Sequence, residues 1–353
     1  MSRPESSLSI ALVGPGRVGR SLLERLQAHA PETWQLMAVA DSTRLRRGPI
    51  ERSEWAQPFA DEAFQPRASD RDWQDELLRR DGIPVLIDAS ASAEVADAHA
   101  DCLARGIHVV TANKLAMACP SSDWERLRAA SERSMYGISA TVGAGLPVLD
   151  SLRELRRAGE PVRRIRGVLS GSLSALSEGL SVGRRASEVL ETLRRDGLTE
   201  PDPRTDLGGL DVARKLVILA REAGLDLSLD ALVVDSLVPE ELAALSLDSF
   251  LRSGAVLDRH VAQCVDRAPG SGRHLAYVAE LEVDGRACVG LRRLDDGDSL
   301  AQLSGQGNRI EVTTECYAAA PLSIEGPGAG LEVTALALWR DLVRISESVR
   351  RCR

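Results

Sequence analysis

The stretch LSIALVGPGRVGRSLLERLQAHA, from Leu8 to Ala30, restricts the fold more than any other. An apolar run of strand length leads into Gly14-Pro15-Gly16-Arg17-Val18-Gly19, and an amphipathic helix pattern follows. In a GxGxxG turn the first glycine permits the tight turn and the second lets backbone approach a pyrophosphate. The third lets the helix pack against the strand. Phosphate then sits on the amide-rich helix N-terminus. The motif alone is weak; its place after the first strand of a βα pattern gives it weight.

That pattern continues. WQLMAVADSTR predicts a second strand ending near Asp41, PVLIDAS (Pro84–Ser90) a third, IHVVTANK a fourth and YGISATV a fifth. Helices are expected in AEVADAHADCLARG, stopping at Gly106, and in SSDWERLRAASERS. Residues 46–82 are polar and read as loop plus a helix near DRDWQDELLRR. The alternation predicts an α/β fold with a Rossmann-type, doubly wound parallel sheet. Past GAGLPVLDSLRELRRAG the rhythm changes. A strand is expected in RIRGVLSG, helices near 174–181, 186–196 and Leu210–Ala223, and a hairpin in LAYVAELEVDGRACVGLRRL turning at Asp284-Gly285. Strands are also expected in NRIEVTTECY and LSIEG, followed by a long closing helix, VTALALWRDLVRISESV; the change of rhythm after the first unit marks a second, α+β domain.

A chain of 353 residues can bury two cores. A net charge of −8 provides no broad basic footprint and argues against nucleic acid as a partner. No apolar run reaches membrane-span length, and the N-terminus lacks a signal-peptide pattern. Six scattered cysteines without CxxC (Cys102, Cys119, Cys264, Cys288, Cys316, Cys352) suit reduced thiols, so a cytoplasmic protein without disulfides or zinc is expected.

Of 44 basic side chains, two are lysine, Lys114 and Lys215, which leaves 42 arginines. Composition bias is the bland explanation. The sharper one is that arginine cannot serve at these positions, because lysine can give up a proton and arginine effectively cannot. Lys114 follows a predicted parallel strand, at the end where ligands bind. Lys215 lies in a helix that is apolar around most of its circumference, with Asp211 one turn earlier. An ordinary i,i+4 ion pair is the alternative there. Ahead of the helix, Glu200-Pro201-Asp202-Pro203 is stiffened by its prolines, and Gly208-Gly209 gives a sharp entry. Asp41, at the end of the second strand, is placed to hold a ribose hydroxyl and so points to NAD. Arg44, three residues on, could meet a 2′-phosphate and so points to NADP; the two signals conflict.

GxGxxG, TANK, ATVGAGLPVLDSL, GVLSGSLS, GLTEPDPRTDLGGLDVARKLVILARE and GPGAGLEVTA occur in that order. Together they resemble homoserine dehydrogenase, notably the dehydrogenase half of the bifunctional aspartokinase–homoserine dehydrogenases, over nearly the whole chain. The resemblance implies NAD(P)-dependent interconversion of L-homoserine and L-aspartate 4-semialdehyde in threonine and methionine biosynthesis. It makes Lys215 the acid/base and Lys114 the second lysine near nicotinamide and substrate. Glu200 becomes the carboxylate for the substrate ammonium, and Asp206 and Asp211 the acids that hold substrate and lysine. Ser90, Ala91 and Ala112 resemble positions beside the cofactor. Gly330 resembles a late glycine returning to the nucleotide domain. The implied boundaries are 1–145 with about 320–353 for the nucleotide domain and 146–319 for a catalytic and dimerisation domain, with a homodimer expected. Some family members bind sodium through backbone carbonyls that match Val142, Ala144 and Leu146, plus a glutamate. Ser139 stands at the glutamate position, and a neutral hydroxyl weakens that site. Ala175, Leu331 and Glu332 also depart from the family pattern. No kinase domain precedes Gly14 and no threonine-sensing domain follows the last helix, so weak or absent inhibition by threonine is expected. Two other readings stay open: an oxidoreductase of another amino-acid semialdehyde, and a non-catalytic nucleotide-sensing protein.

Overall fold

The computed structural model describes residues 7–351 except 61–63, 68, 70, 79–81, 304 and 306. It divides into two compact units, Met1–Gly145 with Ala329–Arg353, and Leu146–Gly328. Cys352 and the ends of DRDWQDELLRR lie outside the described residues.

The first unit is built on a seven-stranded sheet. Its strands are β1 (Leu8–Val13), β2 (Gln35–Ala40), β3 (Arg44–Ile50), β4 (Gln65–Pro66), β5 (Ile83–Asp88), β6 (His108–Thr111) and β7 (Tyr136–Gly137), in the order β4-β3-β2-β1-β5-β6-β7. From β2 across to β7 every pairing is parallel. All six residues of β1 are buried, which is why LSIALV is apolar at every position but Ser9: helices cover both faces of such a sheet. The chain runs from β1 to β2 on one side, then crosses to β5 on the other. The carboxyl end of β1 is therefore a topological switch point, where open α/β sheets bind ligands.

Three expectations in this unit need correction. RLRRGPI, expected as loop, is β3, antiparallel to β2 with Leu36 opposite Ile50. It lies toward the sheet edge, where polar side chains are tolerated and the apolar alternation is lost. YGISATV forms strand only at Tyr136–Gly137. The Asp341 side chain occupies the place a Gly137 Cβ would take, 2.6 Å away, and the Ser139 N–H donates to Asp341 Oδ2 (2.8 Å) instead of continuing the ladder. The AEVADAHADCLARG helix is also interrupted, into Ala93–Asp97 and His99–Ala104.

The terminal helix Leu331–Arg351 belongs to this same core. Its Ala335, Leu338, Leu342 and Ile345 are buried with Leu8, Ile10 and Leu12 of β1 and with Leu22 and Leu26 of the first helix, Arg17–His29. Trp339 stacks obliquely on Trp34 at 5.4 Å between ring centroids.

The second unit carries β8 (Arg164–Val168), β9 (Val233–Val234), β10 (His274–Glu282), β11 (Ala287–Leu294), β12 (Gly307–Thr313) and β13 (Leu322–Pro327), in the order β13-β12-β8-β10-β11-β9. The β10–β11 hairpin turns where expected, with Gly285 at φ +86°. Helices Gly171–Ser181 and Leu210–Glu222 pack against β10. Polar residues of the sheet form an ion-pair lattice centred on Glu280, which meets Arg164 (3.1 Å), Arg166 (3.4 Å) and Arg292 (2.8 Å). Helices Glu240–Ala243, Leu247–Arg252 and Gly254–Arg267 go beyond the sequence expectation. No helix among the described residues is long and apolar enough to cross a membrane.

Candidate active site

The glycine turn follows β1. Gly14 has φ +89°, and a Cβ there would lie 2.7 Å from the backbone of Ala89 and Ser90. A Cβ on Gly19 would lie 2.2 Å from the Gly14 carbonyl oxygen. Both glycines are therefore required by close packing. Gly16 is exposed, and a Cβ there would meet no atom within 4 Å. Nothing in the protein excludes a side chain at Gly16, but a pyrophosphate on the helix N-terminus would. Arg17 starts the helix and is exposed, while Val18 packs against the core. Gly19→Ala is expected to lower the melting temperature markedly. Gly16→Ala is expected to leave it unchanged and to weaken NAD(P) binding about tenfold, roughly 1.4 kcal/mol. Thermal melts paired with cofactor titrations check both, and equal melting losses would contradict the distinction.

An open cavity of about 600 Å³ adjoins the turn, lined by Gly14, Pro15, Gly16, Asp41, Arg44 and Phe59 among others. Its size suits a nucleotide. Asp41 Oδ1 accepts the N–H groups of Thr43 (2.8 Å) and Arg44 (2.6 Å), and Oδ2 accepts Arg44 Nε (2.7 Å). Partial burial works against ionisation of Asp41, but these hydrogen bonds outweigh it and hold the pKa below the usual carboxylate range. The Arg44 guanidinium also lies over the Phe59 ring, 4.4 Å from its centroid. Asp41 is thus committed to shaping the β2–β3 turn and aiming Arg44.

At the ends of β5 and β6 lies a group that the motifs do not reveal. Asp88 is fully buried. Its Oδ1 accepts the Ser90 N–H (2.9 Å) and hydroxyl (2.6 Å). Its Oδ2 meets His99 Nε2 (3.0 Å) and accepts Asn113 Nδ2 (3.0 Å). Asn113 Nδ2 also donates to the Ser92 carbonyl (2.8 Å), and its Oδ1 accepts the Leu115 N–H (3.0 Å). The backbone on both sides of half-buried Lys114 is fixed in this way. One carboxylate therefore ties the loop bearing Ser90 and exposed Ala91 to the segment Ala112–Lys114. Exposed Gly330, at φ +135°, precedes the terminal helix, and its carbonyl accepts the Thr334 hydroxyl (2.7 Å).

In the second unit Lys215 is 9% exposed. Its Nζ donates to the Leu169 carbonyl (2.7 Å), just past β8, and pairs with Asp211 Oδ2 (2.8 Å). Those partners take two of the three ammonium hydrogens, and one remains for a ligand among the described residues. Gly209, at φ +73°, sets the helix entry: a Cβ there would lie 2.1 Å from the Tyr277 hydroxyl oxygen. Asp206 accepts the Ser172 hydroxyl (2.8 Å) on Oδ1 and the Glu200 N–H (2.9 Å) on Oδ2, while Glu200 itself is exposed. Leu169 and Ser172 flank Ser170, whose hydroxyl caps the helix Gly171–Ser181. Lys215, Asp211, Asp206 and the Glu200 backbone are thereby gathered on one short turn after β8. Ser172 is a member that residue-by-residue reading missed; its signal was GVLSGSLS. Asp202 pairs with Arg204 (2.6 Å), which also donates to the carbonyls of Leu242 (3.3 Å) and Ala243 (3.0 Å), so this pair braces the loop. The five described cysteines are free thiols, and no cluster of His, Cys, Asp or Glu among the described residues could hold a metal.

A family model described as homoserine dehydrogenase, NAD binding domain, matches residues 14–139, and one described as homoserine dehydrogenase matches residues 147–343. The chain is 36% identical over 356 residues to bifunctional aspartokinase/homoserine dehydrogenase 1, chloroplastic, of Arabidopsis thaliana, covering 97% of this chain and 39% of that protein. It thus spans about two fifths of the length of that relative. It is 34% identical over 367 residues to the homoserine dehydrogenase of Paracoccidioides brasiliensis, covering 97% of this chain and 98% of that one. A crystal structure of a Candida auris protein of unknown function superposes with a TM-score of 0.87 at 29% identity, covering 97% and 98% of the two chains. With a nicotinamide-nucleotide unit and a second, sheet-based unit each matched over nearly its full length, the chain belongs to the homoserine dehydrogenase family.

Proposed function

We propose that the protein interconverts L-homoserine and L-aspartate 4-semialdehyde, with Lys215 as the acid/base. The observation that carries this reading is the buried Lys215 amine, held at two points and with one hydrogen left to give. When bound, the nicotinamide supplies or accepts the hydride. In the reducing direction Lys215 donates its proton to the aldehyde oxygen as negative charge develops there; in the oxidising direction it takes the hydroxyl proton. Asp211 orients the ammonium, exposed Glu200 receives the substrate ammonium, and Asp206 holds Glu200 and substrate in register. Lys114, whose flanking backbone Asn113 holds, would be the second lysine near the nicotinamide and the substrate. Gly14, Gly16 and the first amides of the Arg17–His29 helix would hold the pyrophosphate. We take the molecule to act as a homodimer through the second domain. Purified protein with L-homoserine and NAD or NADP, followed by absorbance of the reduced cofactor, tests the reading; no turnover with either cofactor would sink it. A different semialdehyde substrate or a non-catalytic role is not favoured by any particular observation.

NADP is the proposed preference. Asp41 is occupied by Thr43 and Arg44 and is not presented to a ribose diol, whereas the Arg44 side chain is 41% exposed beside the cavity. A charge-assisted hydrogen bond to phosphate contributes about 1.5–3 kcal/mol. Arg44→Ala is therefore expected to raise KM for NADP by about tenfold to a hundredfold and to change KM for NAD little. Equal effects on the two cofactors would reverse the preference.

A further inference from the structure

The family resemblance places carbonyl ligands for a sodium ion at Val142, Ala144 and Leu146, on the turn that follows Ser139. The residues present do not fit a metal cation. Ser139, at the glutamate position, donates its hydroxyl to Asp341 Oδ1 (2.7 Å) and its N–H to Oδ2 (2.8 Å). That carboxylate is 2% exposed, packs on the Gly137 backbone and lies 3.4 Å from Arg344 Nη1. Both of its oxygens are thus engaged by Ser139, and Ser139 itself brings no negative charge to the glutamate position. One residue earlier on the same helix, Arg340 Nη1 donates to the Gly145 carbonyl oxygen (2.9 Å). A fixed positive charge is thus already held at the Gly145 carbonyl, between the expected donors Ala144 and Leu146, and a cation bound beside it would be repelled. Ala144, at φ +51°, is the non-glycine residue of the described chain held in the left-handed region. Such a conformation persists only where its surroundings hold it, and the Arg340 bond one residue on is a contact of that kind.

We propose that Arg340 takes the place of a monovalent cation at this turn, so that the protein needs neither sodium nor potassium. The activity arm of the test rests on the function proposed above; the melting arm does not, and absence of turnover in every salt would count against that function only. Intact protein is assayed and melted in sodium, potassium and N-methyl-D-glucamine chloride at matched ionic strength. A cation bound at the turn would raise the melting temperature with its concentration, and its absence leaves the three salts equivalent, with kcat/KM within about twofold. A selective rise in melting temperature, or in kcat/KM, with sodium or potassium would overturn the proposal. Arg340→Ala is expected to lower the melting temperature and Arg340→Lys to restore much of it. An Arg340→Ala protein that melts and turns over like the parent would also overturn it, because the arginine would then do nothing at the turn.

Discussion

Lys215→Arg is expected to leave the protein folded and to cut turnover of L-homoserine by about a hundredfold to ten-thousandfold, the range typical of a lost general acid/base. The substitution keeps the positive charge that pairs with Asp211 and a donor for the Leu169 carbonyl. It removes the transferable proton. Because the helix is buried at Ala213, Leu216 and Leu219, the larger guanidinium has to stay near the place of the ammonium or strain the packing. Lys215→Met controls for that strain, since it fills similar space without charge or proton. A circular-dichroism melt reports the fold and a cofactor-absorbance assay reports kcat. If Lys215→Arg turns over within a few-fold of the parent, the proton passes through another group.

Asp88→Ala is expected to produce the largest loss of stability in the first unit, about 3–5 kcal/mol, as when one partner of a buried charged network is removed. The Ser90 N–H and hydroxyl, His99 and Asn113 would all lose their shared acceptor in a fully buried place. For a unit of this size a loss of that order lowers the melting temperature by about 10 °C. Asp88→Asn keeps the shape but turns an NH₂ group toward donors, so it should fall between parent and alanine. Calorimetry of the intact protein checks this, and an unchanged melt in Asp88→Ala would show that the donors find other acceptors.

Much of the fold was legible because its cause is local. LSIALV is buried throughout and reads so; Gly14 takes a positive φ and Gly19 meets the Gly14 carbonyl within one turn; Asp284-Gly285 forms its hairpin from two residues. What stayed hidden depends on partners far away in sequence. RLRRGPI becomes a strand only because β2 offers it an edge. Asp88 looks like the last residue of an apolar strand until His99 and Asn113 arrive around it. Of the candidate site, the rarity of lysine singled out Lys114 and Lys215, and the prolines and glycines marked the loop before Lys215 as rigid. Neither indicated that Asp41 would be spent on Arg44, or that Ser139 would face Asp341 more than two hundred residues on, because hydrogen-bond partners across such separations leave no local pattern.

The first unit draws its core from both ends of the chain. On a ribosome this imposes an order of events. Leu8, Ile10, Leu12 and Leu22 are synthesised long before Leu338, Leu342 and Ile345, the side chains that seal them. Until they are made the early sheet has an unsealed apolar flank, whereas Leu146–Gly328 has all its own strands before the terminal helix is begun. Domains fold as units during synthesis, and exposed apolar surface makes incomplete ones prone to aggregate. The nucleotide-binding unit, although begun first, is thus completed only after the second one.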